Sequence, residues 1–153
     1  ILAAKTAKEA YAKKNANNVD ENSVAMLTDK AEIEKGKKTF EILCSPCHGN
    51  GGQGNTIGPN LTDNYWLHGG SLKNIFSSIK YGWQDKGMRS WQDELPPVQI
   101  HQIACYIKTL QGTNPPDGKA PQGELYVEQV APATGAVQAD STGVVTDSTK
   151  VTQ

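Results

Sequence analysis

Apolar residues recur through the middle of the chain at the three- and four-residue steps of an α-helix. Ile33, Gly36, Phe40, Leu43 and Cys47 form the first such stripe, and Asp29 with Glu32 three residues on supplies a capping-box start. Gly36 inside that stripe costs about 1 kcal/mol relative to Ala. A close approach of another helix at that point would offset it. Leu72, Ile75, Phe76 and Ile79 mark a second helix, started by Ser71 and stopped by Gly82. Pro96-Pro97 opens a third, since a first helical turn needs no N–H partner. Its stripe is Ile100, Ile103, Ala104, Ile107 and Leu110, and Gly112 ends it. Thr62 can cap a short helix through Trp66 or Leu67, which Gly69-Gly70 would stop. No strand pattern stands out, so the periodicity predicts an all-α fold.

The flanks read differently. Residues 1–17 are rich in Ala and Lys and contain no Gly or Pro, which predicts a helix with a thin apolar face of Ile1, Leu2 and Tyr11. Residues 18–28 are polar and predict a linker. Beyond Leu110 the composition shifts to Pro, Gly, Ala, Ser, Thr and Val. Residues 112–128 could lie along the domain surface, anchored by Leu125, Tyr126 and Val127. Residues 131–153 lack aromatic residues, Leu, Ile and periodicity, and predict a loose tail. The expected organisation is an N-terminal helical extension and linker over 1–28, a folded domain over 29–112, and an extended, partly disordered tail over 113–153.

The first apolar stripe runs into Cys44-Ser45-Pro46-Cys47-His48, a C-x-x-C-H motif. That is the attachment signal for c-type haem. Two thiols three positions apart project to one side of a helical turn and can add to the two vinyl groups of one porphyrin. His48, the next residue, can be the proximal ligand of its iron. Three other readings compete. A thioredoxin-like pair would follow a strand and open a helix, whereas here a helix precedes the cysteines and a glycine-rich loop follows. A zinc site needs a second ligand pair at regular spacing, and only the scattered His68, His101 and Cys105 are at hand. A plain pair of buried thiols explains neither the adjacent histidine nor the five glycines in residues 49–60. That loop is no phosphate-binding loop either, since no Gly-Lys-Ser/Thr follows it.

Composition adds bounds. The chain has 153 residues and a net charge of −1, which points to neither nucleic acid nor a polyanion. Charge is unevenly spread: residues 71–91 hold Lys73, Lys80, Lys86 and Arg89 against Asp85, and residues 112–153 are net acidic. No run approaches the roughly 18 apolar residues of a membrane helix. The start at Ile1, without Met or a signal sequence, suggests a mature product or a fragment. Of three cysteines, two belong to the motif, so no disulfide framework is expected.

The order of helix, C-S-P-C-H-G, glycine loop, G-P-N-L, short helices, methionine loop and terminal helix resembles a class I cytochrome c domain. The run G-P-N-L-T-D-N-Y-W-L-H-G-G, followed by K-G-M-R-S-W, is similar to the cytochrome c subunit of the cbb-type haem–copper oxidases. The resemblance covers about residues 29–127. It implies a cytochrome c fold of about four to five helices wrapped around one covalent c-type haem. Cys44 and Cys47 would hold that haem by thioether bonds, with His48 and Met88 as the two iron ligands. The Pro59 carbonyl would accept from His48 Nδ1, fixing the ring. Asn60 and Leu61, in the same G-P-N-L run, and Trp66 and Trp91 would line the haem. Gly36 and Phe40 would meet the terminal helix near Tyr106. The family commonly carries two haems and a membrane helix; one haem motif is present here.

Other candidates rank lower. Met26 lies in the linker, before the motif. His68, where the family often has tyrosine, is the rival ligand and would give a bis-histidine iron. His101 falls off the apolar stripe and reads as solvated. Cys105 lies about 140° from Ile100 around the helix and reads as an inert thiol. A porphyrin burying on the order of 400 Å² of apolar surface would contribute roughly 10 kcal/mol, so the haem-free chain is expected to fold poorly. The resemblance implies one-electron transfer without catalysis by this domain alone. It points to an electron-relay subunit of a membrane-bound cbb-type oxidase, on the periplasmic side of the bacterial inner membrane. Its partners would be upstream redox donors and the haem–copper subunit, and the basic 71–91 stretch could form part of a docking surface. The alternatives are a freely diffusing periplasmic shuttle and a thiol–disulfide oxidoreductase using Cys44 and Cys47.

Overall fold

The structure is a computed structural model that describes residues 18–128. The expected N-terminal helix and the expected loose tail lie outside the described residues. Four α-helices are described. Helix α1 spans Lys30–Leu43, α2 Ser45–His48, α3 Leu72–Tyr81 and α4 Pro97–Leu110, with a 3₁₀ turn at Gln84–Lys86. Two short strands, β1 at Tyr65–Trp66 and β2 at Glu124–Leu125, pair antiparallel with Tyr65 opposite Leu125.

The helix starts follow the sequence signals. Asp29 accepts a hydrogen bond from the Ala31 N–H at 2.9 Å and caps α1. Ser71 accepts one from the Asn74 N–H at 3.0 Å and caps α3. Pro97 sits in the first turn of α4. The C-x-x-C-H motif is a separate turn of helix, α2, set off from α1 at Cys44 and closed at Gly49.

Helices α1 and α4 cross at Gly36. A Cβ there would lie 2.1 Å from the Gln102 carbonyl oxygen, so only glycine lets the two backbones come this close. One turn further on, Phe40 and Tyr106 meet edge to face with ring centroids 5.3 Å apart. Phe40, Phe76, Ile100 and Ile103 are buried and form the centre of the core. Helix α4 is covered on more than its apolar stripe: Gln102 and Cys105 are buried as well.

Three expectations need correction. No helix follows Thr62. Asn60 Oδ1 accepts from the Thr62 N–H at 2.8 Å and from its hydroxyl at 2.6 Å, a local bond that competes with helix. The chain then runs into β1. Residues 18–28 are no free linker: Val19 joins the core, and the segment covers the second face of α4. There His101 Nε2 lies 2.6 Å from the Ala25 carbonyl and the Leu27 N–H donates to Cys105 Sγ at 3.4 Å, so His101 is partnered rather than solvated. Residues 112–128, in contrast, run along the domain surface as expected and form a strap over the glycine loop. Gly112 N–H donates to Thr62 O at 2.8 Å, Lys119 N–H to Gln53 O at 2.8 Å and Tyr126 N–H to Asn64 O at 2.8 Å.

The 18–28 segment is latched to α3 by Glu21, which pairs with Lys80 at 3.1 Å and accepts from the Tyr81 hydroxyl at 2.7 Å. The Tyr81 bond first, then Glu21's own backbone and the Lys80 bond, hold the Glu21 carboxyl down from 4.5 to about 2.

Two outcomes are expected. Gly36→Ala overpacks the α1–α4 crossing and costs about 1–3 kcal/mol in denaturant unfolding; an unchanged midpoint would show that the crossing can yield. A carboxyl with a depressed folded pKa contributes stability above its unfolded pKa and loses it as pH falls toward its folded pKa. Glu21→Gln therefore lowers stability most above 4.5, and its difference from wild type shrinks between 4.5 and about 2. Unfolding curves across that window give the slope; a constant difference would exclude the latch as its source.

Candidate functional site

A largely apolar cavity of about 340 Å³ opens between the motif and the segment carrying Met88. Cys44, Cys47 and His48 line one part, with Phe40 and Leu43 from α1. Ile57, Gly58, Pro59 and Leu61 come from the glycine loop, and Trp66, Leu67 and His68 from β1 and the residues after it. Ile75 and Ile79 of α3, Ile107 of α4, and Trp83, Lys86, Met88, Arg89 and Trp91 line it as well.

His48 ends the α2 turn, and its Nδ1 lies 3.0 Å from the Pro59 carbonyl oxygen. A carbonyl only accepts, so Nδ1 carries the proton and Nε2 keeps its lone pair. Burial pushes the His48 pKa below the ordinary range, against the opposing pull of the Pro59 bond. The ring is therefore neutral at neutral pH, the form that binds a metal. The loop is wrapped tightly to make this contact. Gly58 N–H donates to Cys47 O at 2.9 Å, Gly54 N–H to His48 O at 2.6 Å, and Asn55 Nδ2 to Pro46 O at 2.9 Å. A Cβ on Gly58 would sit 2.5 Å from Cys47 O and 2.9 Å from His48 Nδ1. The glycine is what lets the loop lie against the motif.

Burial, and then the neighbouring Cys47, raise the Cys44 pKa to about 12. A nucleophilic redox cysteine is shifted the other way, which disfavours Cys44 as the attacking thiol of an exchange reaction. Among the described residues no group of three or more His, Cys, Asp or Glu could hold a metal ion, which leaves the zinc reading without a ligand set.

Of the residues singled out from the sequence, Cys44, Cys47, His48, Pro59, Leu61, Trp66, Met88 and Trp91 all line the cavity. Asn60 does not. Besides holding Thr62, its Nδ2 donates to the Lys119 carbonyl at 3.1 Å, so it ties the loop to the strap instead of contacting the cavity. Met26 is exposed and away from the lining. Sequence reasoning missed Ile57, Leu67 and Trp83, exposed apolar residues that edge the cavity. It also missed Lys119, whose Nζ lies 3.5 Å from Gly58 O, beside the peptide that holds His48. Local periodicity carries no signal for any of these.

Residues 31–107 match the family described as cytochrome c oxidase, cbb3-type, subunit III. The chain belongs to that family. The cbb3-type cytochrome c oxidase subunit FixP of Rhizobium etli is 33% identical over 129 residues, covering 78% of this chain and 45% of that protein. The CcoP subunit of Rhodobacter capsulatus is 30% identical over 122 residues, covering 72% of this chain and 40% of that protein. The chain thus spans less than half the length of these relatives. The crystal structure of cytochrome cL from Methylophaga aminisulfidivorans superposes with a TM-score of 0.51 at 28% identity, covering 55% of this chain and 56% of that one. The fold is that of a cytochrome c.

Membership in a family of cytochrome c subunits implies a c-type haem, and the residues of the cavity fit that group. Two thiols, an imidazole with a free Nε2 and a thioether line one apolar space. Trp66 Nε1 is a buried N–H with no acceptor among the described residues. Such a group is costly unless something bound supplies one.

The haem-free chain, with this apolar cavity unfilled, is expected to lack a cooperative thermal transition by circular dichroism. The haem-loaded chain shows one. A native-like melt without haem would mean that the helices close the core on their own.

Proposed function

We propose that this subunit III family member transfers single electrons through one c-type haem held by Cys44, Cys47, His48 and Met88, as an electron relay of a cbb3-type oxidase. The observation that carries the reading is the convergence of the motif, the oriented His48 and Met88 on one apolar cavity. A haem held there would supply one-electron redox chemistry between a donor and an acceptor. Everything else is the work of the chain. Cys44 and Cys47 anchor the porphyrin through thioether bonds to its vinyl groups. His48 Nε2 would be one iron ligand, and the Pro59 carbonyl keeps the ring in the tautomer that leaves Nε2 available. The Met88 thioether would be the second ligand, a soft donor that favours reduced iron and raises the potential. With both positions taken, the domain relays electrons and leaves oxygen chemistry to another subunit.

The relatives named FixP and CcoP are subunits of cbb3-type oxidases. That supports a place on the periplasmic side of the bacterial inner membrane, between an upstream redox donor and the haem–copper subunit. No helix among the described residues is long and apolar enough to cross a membrane. An anchored complex would therefore hold this domain through other segments or partner subunits. The docking expectation narrows. Lys80 is engaged by Glu21, and Arg89 pairs with Glu94 and covers the Trp91 ring at 4.7 Å. Lys86, at the cavity beside the exposed Ile57, Leu67 and Trp83, is the stronger candidate for contact with a partner.

The purified protein is expected to keep its colour through acid–acetone extraction, and Cys44→Ala/Cys47→Ala to release it. Oxidised wild type shows the thioether-to-iron charge-transfer band. Met88→Ala loses that band and shifts the midpoint potential downward, while Met26→Ala changes neither. A colourless protein would end the haem reading, and a band surviving in Met88→Ala would move the second ligand elsewhere.

A further inference from the structure

Met88 reaches the cavity from a small hairpin. Trp83 N–H donates to Met88 O at 2.8 Å and Met88 N–H to Trp83 O at 3.0 Å, with the 3₁₀ turn between them. These two bonds tie Met88 to Trp83, so what grips Trp83 also grips Met88. Trp83 is held from two sides. Its Nε1–H donates to the Ser78 hydroxyl of α3 at 3.0 Å. Its ring lies on the His68 imidazole with centroids 3.5 Å apart and planes 9° from parallel. His68 belongs to the segment after β1, so the stack joins the hairpin to a different part of the cavity wall from α3.

We propose that His68 is a positioning residue for Met88: its ring, stacked on Trp83, clamps the hairpin and so resists withdrawal of the Met88 sulfur. The proposal rests on the reading of Met88 as an iron ligand. It gives His68 a role other than the rival ligand, one that uses the face of the ring and neither of its nitrogens. The clamp acts on exchange. For an external ligand to take the Met88 position, the hairpin must swing out, and that opening breaks the stack. The apparent affinity of the external ligand is reduced by the fraction of time the hairpin is open. Loss of the stack raises that fraction.

The test is a titration of the oxidised haem-loaded protein with imidazole, followed by bleaching of the thioether-to-iron band. In His68→Ala imidazole binds about three- to tenfold more tightly than in wild type, the size of one aromatic stacking pair. His68→Phe keeps a ring on Trp83 and lacks ring nitrogens; it retains wild-type affinity. Trp83→Leu removes the other ring and tightens imidazole as His68→Ala does. A purely structural role for His68 would lower the melting temperature without a ligand-exchange effect that Phe rescues. Unchanged imidazole affinity in either ring-removing variant overturns the clamp, as does a His68→Phe protein that behaves like His68→Ala. If wild type lacks the thioether band, Met88 is not the ligand and the proposal falls with that reading; a wild-type band with unaltered exchange removes the clamp alone.

Discussion

The close crossing of α1 and α4 is the contact on which the rest of the molecule depends. At Gly36 the two backbones approach until the missing side chain is the only space left. That crossing sets where α1 ends and therefore where Cys44, Cys47 and His48 stand. It also brings Ile107 of α4 behind the cavity and Phe40 against Tyr106. A helix pair held this way makes a rigid wall, because interhelical packing is short-range and intolerant of added volume. The site chemistry is mounted on that wall, one helical turn beyond the buried Phe40.

The opposite side of the site is built by other means. Glycine loop, β1, Met88 hairpin and strap contain little regular structure, and specific hydrogen bonds hold them. Pro59 orients His48, Asn60 joins the loop to the strap, and Trp83 carries Met88. Each bond alone contributes about 1 kcal/mol. Together they shape a pocket whose apolar interior has little reason to stay closed without something bound in it. Rigidity in the motif and local persuasion in the loops divide the labour: one fixes the anchor, the other adjusts what faces it.

Much of this was legible beforehand. Three helix positions, their caps at Asp29 and Ser71 and the proline start of α4 follow from residue type and spacing. The motif residues, Pro59, Leu61, Trp66, Met88 and Trp91 come to the cavity. Thr62 misled because its capping residue type is used by Asn60 in a turn. His101 misled because a segment 76 residues away, with a polar composition, covers its face of α4. Asn60 was placed with its motif neighbours, yet it faces the strap.

By itself the sequence determined what is local: the helical periodicity, the caps, and two thiols next to a histidine on one turn. Those features depend on residues within a turn of one another, where the chain's own geometry leaves few choices. Only the tertiary structure decided that residues 18–28 cover α4, that the strap rides on the glycine loop, and that His68 meets Trp83. Contacts of that kind join residues far apart in the chain. Many partners of equal polarity compete for them, and burial and hydrogen-bond satisfaction across the whole fold select one.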